Sequence, residues 1–345
     1  MQTRICNLIE RRAIRIETIE QKSPDDDEVV IQMGAGGICG SDLHYYNDGG
    51  FGSIQVKEPI ILGHEVSGTV HTLGSKVKNL TLGDKVALNP SHPCGDCAYC
   101  QKHIFQHCLN MRFFGSALRF PHEQGAFRDV MVVKSQQCFP VRATTSLAHA
   151  ACAEPLAVCL HARSRTPNLK GKRILITGAG PIGALCTVLA REAGASEIVV
   201  TDLEDLPLEV AKNMGADLTV NISRSSESLS VFSQDKGYFD IAFECSAAQR
   251  ALDTCLDSVC PQGTVVQVGV TGNLSVPINK LVGKEISMIG THRFDSEFGD
   301  AVKIIDTNEI DVTPIISHTY PLEKAAEAFE IASDRAKAVK VQLSF

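Results

Sequence analysis

Short β-like runs, separated by turn signals, fill the first 150 residues of the chain. Glu28–Met33, Val66–Leu73, Lys85–Asn89 and Phe127–Val133 predict strands. Leu82-Gly83-Asp84 and Asn47-Asp48-Gly49-Gly50 predict turns between such segments. A small barrel-like β unit is expected from this spacing. Near residue 150 the pattern changes. Apolar strands at Arg173–Thr177, Glu197–Thr201, Asp240–Cys245 and Thr264–Val270 now alternate with helical stretches, two of which end at Gly194 and Met214. Such alternation predicts a doubly wound parallel α/β sheet. The last segment returns to mixed elements, with a helix around Leu322–Ala332 and a closing strand at Ala338–Leu343.

Length and charge narrow the picture. At 345 residues the chain is too long for one ordinary core, so about two domains are expected. The linkers are short, which predicts domains packed together around a cleft. Its 33 basic residues are interspersed with 40 acidic ones, and no basic footprint for nucleic acid stands out. An odd 13 cysteines argue against a fully paired extracellular framework. Glu10, Arg11 and Arg12 interrupt the start before a signal-peptide apolar stretch develops. No apolar run approaches the roughly 20 residues of a membrane span. A reducing cytoplasm is the expected compartment.

Candidate chemistry appears first in a single loop, where Cys94, Cys97, Cys100 and Cys108 read C-x2-C-x2-C-x7-C. Four thiolates so close together can share one tetrahedral zinc. A disulfide cluster is the alternative. An iron–sulfur run of the ferredoxin kind has a shorter last gap followed by proline, whereas Leu109 follows here. A closed four-thiolate site has no open position, so its expected role is structural.

Gly178-Ala179-Gly180-Pro181-Ile182-Gly183 follows a predicted strand and opens a predicted helix. In that context G-x-G-x-x-G is a strong dinucleotide signal. Gly178 permits the turn, Gly180 lets the backbone approach a pyrophosphate, and Gly183 allows close helix–strand packing. The helix N-terminus, with Pro181 and Ile182 in its first turn, faces the phosphates. Asp202 ends the second strand, where a carboxylate would bind the adenosine ribose; it could instead cap the following helix. Glu204 and Asp205 add negative charge, and no Lys or Arg follows before Lys212, which favours NAD over NADP. Val268 and Gly269, after a later strand, are the expected seat of the nicotinamide half.

Two further pieces precede the cysteine loop, Gly37-Ile38-Cys39-Gly40-Ser41-Asp42-Leu43-His44 and Leu62-Gly63-His64-Glu65. Each alone is uninformative. In this order, ahead of the cysteine loop and the glycine loop, they make the chain resemble the zinc-dependent medium-chain dehydrogenase/reductase family along essentially its whole length. The resemblance implies a GroES-like catalytic domain at 1–150 with a structural zinc lobe at 90–110, a Rossmann NAD domain at 151–290, and a return to the catalytic domain at 291–345. It implies a catalytic zinc in the cleft, held by Cys39, His64 and the carboxylate of Glu154 or Glu65. Its open position would polarise an alcohol oxygen. Ser41 matches the family's relay hydroxyl, His44 the terminal proton carrier, and Asp42 the group that orients His64; each could also cap a helix or fill a loop. A dimer or tetramer is implied as well.

Tyr45-Tyr46 and Glu154-Pro155-Leu156-Ala157-Val158 indicate the polyol branch of that family. Met111-Arg112-Phe113-Phe114-Gly115 and Gly290-Thr291-His292-Arg293-Phe294 sharpen the resemblance. Tyr45, Phe114 and Arg293 match its substrate-pocket positions. Arg293 suits a sugar-acid carboxylate, which a guanidinium holds bidentately; a salt bridge between domains is its other use. The expected activity is hydride transfer between NAD and a secondary alcohol of a sugar acid, with a neutral polyol such as sorbitol or xylitol as the rival substrate. An NAD-binding protein without catalysis is the reading of another class.

Overall fold

A computed structural model describes residues 1–224, 226–270 and 272–345. The chain separates into two compact units. One holds Met1–Ala157, Asp295–Asp334 and Lys340–Phe345; the other holds Val158–Phe294 and Arg335–Val339. No helix among the described residues is long and apolar enough to cross a membrane.

The first unit is built on a seven-stranded sheet. Its strands run in the order Cys138–Val141, Lys85–Leu88, Glu65–Leu73, Glu28–Gly37, Lys340–Ser344 and Ile316–Pro321, with Val130–Lys134 also paired to Glu28–Gly37. The strand nearest the C-terminus therefore lies beside the one that leads into Cys39. A hairpin of Gln2–Glu10 and Ala13–Glu20 forms a separate small sheet with Ile60–Ile61. Burial of Ile31, Val66, Val70, Val86, Leu88, Phe127, Phe329 and Leu343 supplies the apolar core that orders these strands. Gly63 sits at φ 96°, and a Cβ there would fall 2.1 Å from the Phe127 ring, so only glycine can carry the chain into His64 at this approach.

The second unit is a six-stranded, all-parallel sheet. Its order is Leu218–Asn221, Glu197–Asp202, Arg173–Thr177, Phe239–Glu244, Val259–Gln267 and Ser287–Gly290. This is the doubly wound arrangement that the alternating pattern predicts. Its central strands read as unbroken apolar runs because helices cover both faces; Ile174, Leu175, Ile176, Val199, Val200 and Ala242 are wholly buried.

Candidate metal and dinucleotide sites

The first ligand cluster grows from two neighbouring strands of the first unit. Glu28–Gly37 leads into Cys39, which caps the Gly40–Asp48 helix. The adjacent strand begins at Glu65, directly after His64, and Gly37 pairs with Glu65 in register. Cys39, His64 and Glu65 thereby bring one ligand atom each to within 4.8 Å of one another. A Cβ on Gly37 would lie 2.2 Å from Glu65 Oε2, so the carboxylate occupies the space that glycine leaves.

Charge in this cluster is unbalanced. Asp42, Glu65 and Glu154 are all buried. Lys340 donates to both oxygens of Glu65 at 2.7 Å and to the Ile38 carbonyl at 3.1 Å. Burial lowers the affinity of the Lys340 ammonium for its proton, but Glu65 more than offsets this and holds it above the usual lysine value. Burial pushes the Cys39 thiol up to about 12, with Glu65 reinforcing the shift. Burial likewise pushes Glu154 up to about 8, opposed by His64 and reinforced by Glu65 and Cys39. The trio of Cys39, His64 and Glu65, with Asp42 and Glu154 as further buried carboxyls and Lys340 bonded to Glu65, fits a divalent cation, whose charge would favour thiolate and carboxylate together.

The resemblance left two carboxylates open. The structure brings Glu65 into the Cys39–His64 trio, while Glu154 stands outside it on the Ala153–Ser164 helix. Asp42 does not orient His64 by a hydrogen bond. Its Oδ1 is 3.8 Å from His64 Nδ1, which is buried with no hydrogen-bond partner among the described residues. The carboxylate instead accepts from the Cys39 and Gly63 N–H groups at 3.0 and 3.2 Å, and burial raises it above the usual range. Asp42 thus ties the backbone at Cys39 to the residue just before His64. Ser41 is half-buried in the first turn of the helix. The exposed His44 offers Nδ1 to Asp48 at 3.1 Å.

The cysteine loop closes as a second cluster. All four sulfurs lie within 4.8 Å of one another, with Cys94–Cys108 at 3.5 Å and Cys94–Cys100 and Cys97–Cys108 at 4.0 Å. Four sulfurs tetrahedrally placed at zinc–thiolate distance would be about 3.8 Å apart. None is in a disulfide. Backbone N–H groups of Cys94, Leu109 and Asn110 point at the sulfurs, an arrangement suited to thiolate charge. The backbone N–H groups of Cys100 and Leu109 lower the Cys97 thiol to about 6.

Of the substrate positions, Tyr45 and Phe114 are buried in the first unit. The Tyr45 hydroxyl accepts from Ala117 N–H at 3.2 Å. Arg293 belongs to the second unit and has a φ of 53°. Arg112 pairs with Glu123 at 2.7 Å, and Arg119 donates to the Met111 and Leu109 carbonyls.

In the second unit, Gly178 has φ 89° and Gly180 caps the Pro181–Glu192 helix. A Cβ on Gly183 would lie 1.8 Å from the Gly178 carbonyl, whereas one on Gly180 would meet nothing within 4 Å. The loop is thus packed tightly beneath and open above Gly180, which fits a pyrophosphate on the helix N-terminus. Asp202 accepts from Ala179 N–H at 2.6 Å and from Leu203 and Glu204 N–H at 2.7 and 3.2 Å, so it ties the glycine loop to its own turn. Sequence order concealed one cation. The strand beside Asp202 pairs Asn221 with it, and Arg224 then bonds Asp205 at 2.6 Å. Only adjacency in the sheet reveals that Arg224 returns to the acidic turn.

Residues 25–143 match the family described as alcohol dehydrogenase GroES-like domain, and residues 181–307 match zinc-binding dehydrogenase. The chain is 40% identical to L-idonate 5-dehydrogenase (NAD(P)(+)) of Escherichia coli, over 100% of this chain and 99% of the relative. The crystal structure of that organism's L-idonate 5-dehydrogenase superposes with a TM-score of 0.94 over 100% of this chain and 99% of the other. Sorbitol dehydrogenase of Bacillus subtilis is 34% identical over 93% of this chain and 91% of the relative. A zinc-binding dehydrogenase of Sinorhizobium meliloti, determined with NADP, is 26% identical, with a TM-score of 0.90 and complete coverage of both chains.

Proposed function

The chain belongs to the zinc-dependent medium-chain dehydrogenase/reductase family, and on that premise we propose that it oxidises L-idonate at C5 to 5-keto-D-gluconate with NAD. The convergence of Cys39, His64 and Glu65 carries the catalytic part of this reading. Full-length similarity to L-idonate 5-dehydrogenase supports the substrate. Similarity to sorbitol dehydrogenase keeps a neutral polyol as the second reading.

Cys39, His64 and Glu65 would hold the catalytic zinc, with Glu154 able to replace Glu65, and Cys94, Cys97, Cys100 and Cys108 would hold the structural one. When bound, zinc supplies Lewis acidity toward the substrate oxygen and NAD supplies the hydride acceptor. Ser41 would relay the hydroxyl proton, its Oγ accepting that proton as its own O–H proton leaves toward His44. His44, whose Nδ1 is engaged by Asp48, passes a proton to solvent at Nε2. Gly178, Gly180, Pro181, Ile182 and Gly183 seat the pyrophosphate, Asp202 the ribose, and Val268 and Gly269 the nicotinamide half. The acidic turn at Asp202–Asp205 supports NAD. Arg224 beside Asp205 gives NADP a possible counter-charge, so the preference should be finite.

The family resemblance assigns Tyr45, Phe114 and Arg293 to the substrate, and the Arg293 guanidinium would suit its carboxylate. Holding one end of a six-carbon chain sets which hydroxyl reaches the metal. Arg293→Ala should cut kcat/KM for L-idonate by roughly ten- to a hundredfold, the scale of a charged hydrogen bond, and spare sorbitol. Parallel kinetics on both substrates check it, and equal losses would remove Arg293 from carboxylate recognition. Thirteen cysteines, none of them in a disulfide, support a cytoplasmic location. The unpaired outer edge of Ser287–Gly290 and the exposed Ile278 and Val282 support a homo-oligomer, a dimer or tetramer that sedimentation would detect.

A further inference from the structure

Glu244 ends the Phe239–Glu244 strand and is wholly buried, yet among the described residues its hydrogen-bond partners are all uncharged. Ser246 N–H reaches it at 2.8 Å and Ala247 N–H at 3.0 Å. The Gln267 amide reaches it at 2.5 Å, the Thr177 hydroxyl at 3.4 Å, and the Ser246 hydroxyl also bonds it. These donors come from three strand ends: Thr177 just before the glycine loop, the turn at 246–247, and the end of Val259–Gln267. A Cβ on Gly269 would fall 2.4 Å from Ala247 N and 3.0 Å from Glu244 Oε2, so Gly269 faces the turn that holds the carboxylate. Open α/β sheets receive their ligand at the carboxyl ends of the strands. A dry carboxylate ordinarily answers a cation, and none of these partners is one.

We infer that Glu244 discriminates between the two charge states of the cofactor, favouring the cationic nicotinamide ring of NAD+ over the neutral ring of NADH. The inference rests on the proposed seat of the nicotinamide half at Val268 and Gly269. Through a protein interior, unit charges about 10 Å apart change a binding constant by roughly tenfold. Glu244 would act through space as a positioning charge that tightens the oxidised cofactor and leaves binding of the reduced one nearly unchanged.

Glu244→Gln removes the charge and keeps the shape. Calorimetric binding of NAD+, NADH and ADP-ribose to the zinc-loaded enzyme should show NAD+ weakened about tenfold, with the other two changed less than about twofold. Equal weakening of NAD+ and NADH, or no change in either, would overturn the inference, since a purely structural role cannot tell the two rings apart. If the glutamine variant does not fold, Glu244→Asp decides: it keeps the charge, so a collapsed NAD+/NADH ratio would equally refute it. Val268→Ala tests the seat separately. Unchanged NAD+ affinity there would overturn the nicotinamide placement, whatever Glu244 does.

Discussion

At the scale of single residues, the Lys340–Glu65 pair shows how burial turns a common contact into a decisive one. Their side chains are 3% and 2% exposed, so neither charge can fall back on water. Breaking a buried pair by removing one partner costs about 3–5 kcal/mol, because the other charge is left uncompensated. Lys340→Met should therefore lower the denaturation midpoint strongly in metal-free protein and less in zinc-loaded protein, where the metal ligand set meets a cation. Urea titrations with and without chelator check this, and a variant as stable as wild type in both would refute it. Nothing local in the sequence marks Lys340. It lies 275 residues from Glu65, and only the antiparallel pairing of Lys340–Ser344 with Glu28–Gly37 brings it there.

At the scale of elements, the cysteine loop is held by little besides its ligands. Between Cys94 and Cys108 it contains two three-residue turns of helix, Cys100–Lys102 and Phe105–His107, and only Cys100 and Cys108 are buried. With so little apolar surface removed from water, the order of the loop must come from metal. Cys97→Ser should take bound zinc from two equivalents to one, since the other ligand cluster is untouched. A stability loss of about 3 kcal/mol would lower the melting temperature by roughly 6–12 °C. Metal analysis with thermal melting tests it, and retention of both equivalents would contradict it. The glycine loop differs in kind. Its geometry is enforced by backbone contacts, such as the one that a Cβ on Gly183 would violate, and those are written in its own six residues.

At the scale of the whole molecule, both cysteine-containing ligand clusters lie in one unit and the glycine loop in the other. A chelator should lower the melting temperature yet leave the stabilisation by NAD intact, about 2.7 kcal/mol at a hundredfold excess over Kd. Thermal scans with each agent and with both check it; loss of the NAD response along with zinc would show that the units are not independent. The sequence by itself determined what is local: the alternating apolar strands, the four-cysteine spacing and the glycine loop each fix their chemistry within a few adjacent residues. It overlooked the Gln2–Glu20 hairpin and the short helix after Cys39, because weak local patterns there are settled by packing. Tertiary structure decided which carboxylate joins Cys39 and His64, why Asp42 bonds backbone and not imidazole, and where Lys340, Arg224 and Glu244 find partners. Those outcomes depend on which strands become neighbours, and a charge from a distant strand leaves no period or spacing in the chain to read.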